Sequence, residues 1–342
     1  MNKTARFVVA SSLFLYTVLL IISCGNEEKK PDVSKVPVSL KTHRFEQDLM
    51  TAKAPVSLML RNKYPHFYDL YFFQLVRIGS PESTAGRPLM ESRIADFVSD
   101  PDIQAIYNDT RQTFPDFTSL DGRLTDAFRH YRYYFPKKTI PQTLTFISGF
   151  NNAIVCADSV LAIGLDMYLG RQSKYYHALQ FPVYRIAKMD GAYIPTDAMK
   201  GWLQSEWTEP ESNADLLSHM IYAGKIQYAL KKLMPEEADT LVTGYSAAQL
   251  EWCMKNEKNV WSFFIDHKLL FATELNLIMK YVTEGPTTGG FPKESPGNLG
   301  QWIGYKIVES YAKKKTPDDL AALLNENDYK KILQESGYKP GE

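Results

Sequence analysis

The sequence predicts a mostly α-helical chain with one small antiparallel sheet, an α+β fold in a single globular domain over residues 36–342. Three observations lead there. Apolar residues recur at three- and four-residue steps over most of the chain. The period changes at Gln142–Phe150 and Ala153–Leu165, where β-branched residues alternate around Gly149 and Asn151-Asn152. No Pro- or Gly-rich stretch divides the region as an interdomain linker would.

In chain order, Val36–Met50 reads as a short extended segment leading into a first helix. Ser57–Ile78 has helical spacing broken by Pro65, which predicts two pieces. Gly79–Pro88 reads as loop. Leu89–Val98, Asp102–Thr113 and Thr118–Phe135 read as helices, with Asp102 and Thr118 at N-cap positions and Pro115 and Pro136 as breakers. The two alternating runs give two or three antiparallel strands, followed by Asp166–Gly170 and a Tyr-rich loop to Pro182. From Val183 onward the pattern is helical: Val183–Lys188, Thr196–Trp207, Ala214–Leu233, Ser246–Asn256, Asn259–His267, Glu274–Thr283, residues 297–315 and Pro317–Asn325.

The 297–315 helix stands out. Leu299, Trp302, Ile303, Ile307, Val308 and Tyr311 form one apolar stripe, with Gly300 and Gly304 beside it. Each glycine costs roughly 1 kcal/mol relative to Ala in a helix interior, so something must come close there. Tight helix packing and the wall of a cleft both satisfy that requirement.

Composition excludes several functions. The chain is 44% apolar and 23% charged, and its 39 Lys and Arg balance 39 Asp and Glu. It therefore has no net field to draw nucleic acid. Cys156 and Cys253 lie far apart with no CxxC spacing, which disfavours a thiolate zinc site and leaves free thiols or one disulfide. The six histidines show neither HxH nor HxxxH spacing, and there is no GxGxxG, Walker loop or GxSxG elbow. No cofactor, metal ligand or catalytic residue is assigned.

The N-terminus predicts an address. Lys3 and Arg6 precede the uncharged run Phe7–Ile22, and Ser23-Cys24 closes it as a lipobox would. Residues 1–23 are then a lipoprotein signal peptide. Cys24 is the acylated residue, and residues 24–35 form a polar tether. The expected location is the cell envelope, with the membrane as a partner through Cys24. The absence of Asp directly after Cys24 favours the outer membrane.

Leu216–Lys225, LLSHMIYAGK, resembles the segment in which gluzincin-like peptidases place a ligand Glu just before Gly, but Ala223 stands at that position. One helix upstream, where such enzymes carry HExxH, the chain reads TDAMKGWL from Thr196. The resemblance implies a degenerate zincin-like scaffold without its metal ligands.

The lipobox, Arg44–Leu49, Leu165–Gly170, Met220–Lys225, Trp252 with Trp261, Ser295-Pro296-Gly297 through Gly300, Trp302-Ile303-Gly304, Ile307-Val308, Tyr311 and Tyr338-Lys339-Pro340 together resemble the gliding-motility lipoproteins of type GldB, a Bacteroidetes family. That resemblance implies a non-enzymatic envelope protein of the gliding machinery and its coupled secretion system, acting through protein contacts. Two alternatives stand beside it. One is a divergent zinc metallopeptidase with Glu206 as base and His177 or His219 as ligands. The other is a peptide- or glycan-binding lipoprotein whose pocket is lined by Trp202, Tyr222, Ala223, Trp302 and Tyr305.

Overall fold

In the computed structural model, residues 30–79, 86–315 and 319–341 are described, and Val33–Glu342 form one compact unit. The signal peptide and Cys24 lie outside the described residues, as do 80–85 of the expected loop and Pro317.

The elements are β1 (His43–Arg44), α1 (Phe45–Thr51), α2 (Val56–Lys63), a π-helical turn at Leu70–Leu75, α3 (Gly86–Ser99), α4 (Pro101–Thr113) and α5 (Thr118–Tyr134). The strands β2 (Gln142–Phe146), β3 (Ile154–Ala157) and β4 (Val160–Gly164) follow, then a 3₁₀ turn at Leu165–Tyr168. Next come α6 (Lys174–Ala178), α7 (Val183–Ile186), α8 (Ile194–Glu206), α9 (Leu216–Leu233), α10 (Asp239–Thr243) and α11 (Ala247–Asp266). The chain closes with α12 (Leu275–Val282), α13 (Leu299–Lys314), α14 (Leu320–Asn325) and α15 (Tyr329–Ser336).

The sheet is small, but it is mixed rather than antiparallel. Its order is β1-β2-β4-β3, with β1, β2 and β4 parallel and only β3 antiparallel to β4. Residues 147–153 carry the chain past the place of β4 to the far edge, so the β3–β4 hairpin returns β4 in the sense of β2. Alternation shows that a run is a strand; it does not show the direction of its neighbour.

Both faces of β4 are buried, as its unbroken apolar sequence requires. Leu144, Phe146, Val160 and Ala162 point into an N-terminal aromatic cluster, where Phe45 meets Tyr64, Phe67 and Tyr71 with ring centroids 5.1, 5.1 and 4.7 Å away. Leu161 and Ile163 point the other way, into the larger core of the C-terminal helices.

Some helix boundaries differ from the sequence pattern. Asp100, not Asp102, caps α4, accepting from the Asp102 and Ile103 amides. Thr118 is not a side-chain cap; the Asp116 carboxylate accepts its amide. α11 runs unbroken through Asn256–Asn259, where two helices are expected. These residues are polar but include no Pro or Gly, and the Asn256 side chain donates to the Trp252 carbonyl within the helix. α10 and α15 fall in stretches where the sequence pattern predicts no element.

Candidate functional site

α9 and α13 cross at glycines. A Cβ on Gly304 would lie 1.7 Å from the Met220 carbonyl oxygen, and one on Gly224 would lie 2.3 Å from the Gly304 carbonyl carbon and oxygen. Gly300 abuts the Tyr281 carbonyl, 2.8 Å from where its Cβ would be. The residue facing Gly304 is thus Gly224; its neighbour Ala223 is half-buried. Trp202, Tyr222, Trp302 and Tyr305 all belong to the main core. Trp202 packs edge-on against Phe128, the Tyr222 hydroxyl donates to the Trp207 carbonyl at 2.9 Å, and Trp302 and Tyr305 lie 6.0 Å apart.

The side chains of the peptidase alternative are held separately. Glu206 pairs with Lys138, His219 Nδ1 lies 3.5 Å from Glu209, and His177 is exposed on α6. Where HExxH would fall, the Thr196 hydroxyl donates to the Tyr193 carbonyl and Asp197 accepts from the Tyr168 hydroxyl at 2.9 Å. Among the described residues, no group of three or more His, Cys, Asp or Glu side chains is placed to hold a metal ion. Cys156 and Cys253 are both free thiols, and burial pushes them up to about 11 and about 12.

Many of the motif residues have structural work. The Arg44 guanidinium bonds Glu46 at 2.7 Å and reaches the Phe114 carbonyl, while Glu46 also accepts from Thr145 at 2.6 Å. Tyr338 donates to Glu257 and packs against Trp261. Asp166, fully buried, takes the Ser148 and Phe150 amides at 2.9 and 2.7 Å, while its other oxygen has no partner. These bonds hold the turn in which Gly149 and Phe150 adopt left-handed φ.

Burial pushes the Asp166 carboxyl up to about 6 against the pull of those amides. A folded-state value above the unfolded one means stability falls as pH rises through the interval from about 4 to about 6. Asp166→Asn should flatten the wild-type stability profile there by up to one proton, about 1.4 kcal/mol per pH unit. Urea midpoints measured between pH 4 and 7 check this; parallel profiles for the two chains would refute it.

A cleft lies elsewhere. A hollow of about 1000 Å³ is walled by residues from 184–193, from 240–256 and from 284–298, with Tyr184, Tyr193, Tyr245 and Trp252 among its lining. Its floor is the turn before α13. Asn298 there has φ 55°, a left-handed conformation uncommon outside Gly, and the Tyr245 hydroxyl bonds its side-chain oxygen at 3.0 Å. Gly297 is required because its Cβ would fall 2.4 Å from the Gly285 carbonyl oxygen. Thr288, fully buried, donates to the Pro296 carbonyl and accepts the Leu299 amide.

The cleft walls carry both charges. Lys188 pairs with Glu284 at 2.8 Å and Lys255 with Glu251 at 2.5 Å. Burial works to raise the Glu284 carboxyl, but Lys188, with Lys200 and Arg185 beyond it, outweighs that and leaves it lowered. Of the residues singled out in the sequence, Trp252, Pro296 and Gly297 reach this cleft. Arg171, Lys188 and Glu284 were silent there, because a single charged residue on a loop has no period or spacing.

No helix among the described residues is long and apolar enough to cross a membrane. Neither curated proteins nor solved structures give a match to this chain. The family model of the gliding motility protein GldB matches residues 26–340, which takes in both the α9–α13 crossing and the cleft. The chain belongs to the gliding motility protein GldB family.

Proposed function

We propose that this member of the family is a lipid-anchored protein of the cell envelope, held at the outer membrane through acylated Cys24, and that it serves the gliding machinery and its coupled secretion system by contact rather than by catalysis. One observation carries the non-catalytic part. Of the two helices that would form a peptidase's metal cage, α8 spends Thr196 and Asp197 on hydrogen bonds with Tyr193 and Tyr168, and α9, with Ala223 at the third ligand position, is locked backbone to backbone against α13 at Gly224 and Gly304. A degenerate zincin-like scaffold fits that arrangement. The lipobox supports the anchor: two or three acyl chains at about 0.8 kcal/mol per buried CH₂ hold a protein stably where one chain is marginal.

Two measurements test this reading. Metabolic labelling with an alkyne fatty acid should mark the wild-type chain, and Cys24→Ala should lose the label and leave the membrane fraction. A labelled or membrane-bound Cys24→Ala chain would remove the anchor. Purified protein should lack stoichiometric zinc and peptidase activity, and a deletion strain should lose colony spreading. Stoichiometric zinc with activity would replace the contact reading by the metallopeptidase one.

A further inference from the structure

The cleft beside Asn298 continues past its own wall. A second hollow of about 760 Å³ opens beyond Arg171 and Asp190, which line both. The ridge between the hollows is extended backbone. Leu169 and Asp190 form an isolated antiparallel bridge, the Gly170 amide donates to the Met189 carbonyl at 3.0 Å, and Asp190 has φ −139° and ψ 142°. A pocket of roughly 300–1,000 Å³ already encloses a compact ligand, so two hollows that share a wall suit an elongated one. That shape calls for a polymer.

Exposed side chains near the hollows distinguish polypeptide from polysaccharide. Leu179 is 54% exposed and Val183 81% exposed at the turn between α6 and α7; neither lines a hollow, but the segment runs from Tyr175 of the second hollow to Tyr184 of the first. Aliphatic side chains standing in water beside a groove complement the aliphatic side chains of a polypeptide. A neutral sugar chain presents hydroxyls to them. Charge points the same way. Lys188 and Lys255 are neutralised within the groove, whereas Arg171, Lys293 and Glu294 make no ion pair with a described residue. A ligand bearing both signs of charge satisfies them; a neutral glycan does not.

We infer that this groove binds an extended polypeptide segment of a partner protein, one carrying acidic, basic and aliphatic side chains. The segment lies across the Leu169–Asp190 ridge and sets an aliphatic side chain on Leu179 and Val183. The inference rests on the reading that this protein works through protein contacts, and it gives that contact a place and a chemistry.

The full-length acylated chain in detergent micelles can be titrated with a tryptic digest of serum albumin and, separately, with chitohexaose, while amide hydrogen exchange is followed by mass spectrometry. The peptides should slow exchange in residues 169–193 and 244–256, and chitohexaose should leave it unchanged. The double variant Arg171→Glu/Lys293→Glu, and separately Val183→Ser, should raise the half-saturating peptide concentration about tenfold. Exchange elsewhere in the variants should match wild type, showing that they fold. Protection by chitohexaose, protection by peptide outside those two segments, or no protection by either overturns the assignment. A deletion strain that spreads normally while the groove still binds peptide would sink the motility role alone.

Discussion

Gly304→Ala is expected to leave the chain unable to fold. The added methyl would sit 1.7 Å from the Met220 carbonyl oxygen and 2.4 Å from its carbon, distances no Cβ tolerates. The obstacle is backbone, so no rotamer change relieves it, and α9 and α13 would have to part along their whole crossing. That separation should cost more than the roughly 1–3 kcal/mol typical of overpacking a side-chain core. The helix-propensity gain of roughly 1 kcal/mol for Gly→Ala is too small to offset it. Gly224→Ala meets the same crossing from the other side and should fail likewise. Gly300→Ala should be milder, since its Cβ would lie 2.8 Å from the Tyr281 carbonyl and 3.1 Å from the flexible Met220 side chain. Gly122 is the control: it is exposed within α5 with nothing within 4 Å of its Cβ position, so Gly122→Ala should gain up to about 1 kcal/mol. Circular dichroism without urea should show Gly304→Ala and Gly224→Ala lacking the native fold, and urea midpoints order Gly300→Ala and Gly122→Ala against wild type. A Gly304→Ala chain with a wild-type midpoint would mean that the two helices do not cross as described.

The glycine pair shows what the sequence could reveal and what it could not. Two glycines four apart beside an apolar stripe signal a close approach, and the close approach is there. They do not say what approaches, and the partner at Gly304 is Gly224, which sits in a motif more easily read for its missing ligand at Ala223. Long helices such as α5, α9 and α13 were legible because burial of one face imposes a 3.6-residue period. The strand sense was not, because alternation is the same in parallel and antiparallel pairs. The aromatics Trp202, Tyr222, Trp302 and Tyr305 could equally be core or pocket, and the structure places them in core. The groove is built mostly from loops and single charged residues, where no periodicity exists to read. Only Trp252 and the Pro296-Gly297 turn marked it, and the turn did so because Gly285 leaves no room for a Cβ on Gly297.

The same motif makes a second strong claim through Lys225. This lysine is 2% exposed, and its ammonium donates to the Leu324 and Glu326 carbonyls, both at 2.9 Å, while lying 5.2 Å from the centre of the Tyr329 ring. It closes the C-terminal end of α14 and holds the link into α15, two helices too short to persist unaided. Lys225→Met keeps the aliphatic bulk but strips both carbonyls of their donor, which should cost about 2–4 kcal/mol. Burial lowers the Lys225 ammonium to about 8, below its unfolded value of 10.5. A depressed cation destabilises the fold at neutral pH, so wild-type stability should gain from this group as pH rises from about 8 toward 10.5. In Lys225→Met that gain should vanish. Because the two carbonyls belong to the C-terminal segment, the loss should be local before it is global: amides of residues 320–336 should exchange faster while those of β2 and β4 keep their wild-type rates. Unchanged exchange across 320–336 in Lys225→Met would show that the segment is held by its apolar contacts alone, and that the lysine is a passenger in the motif.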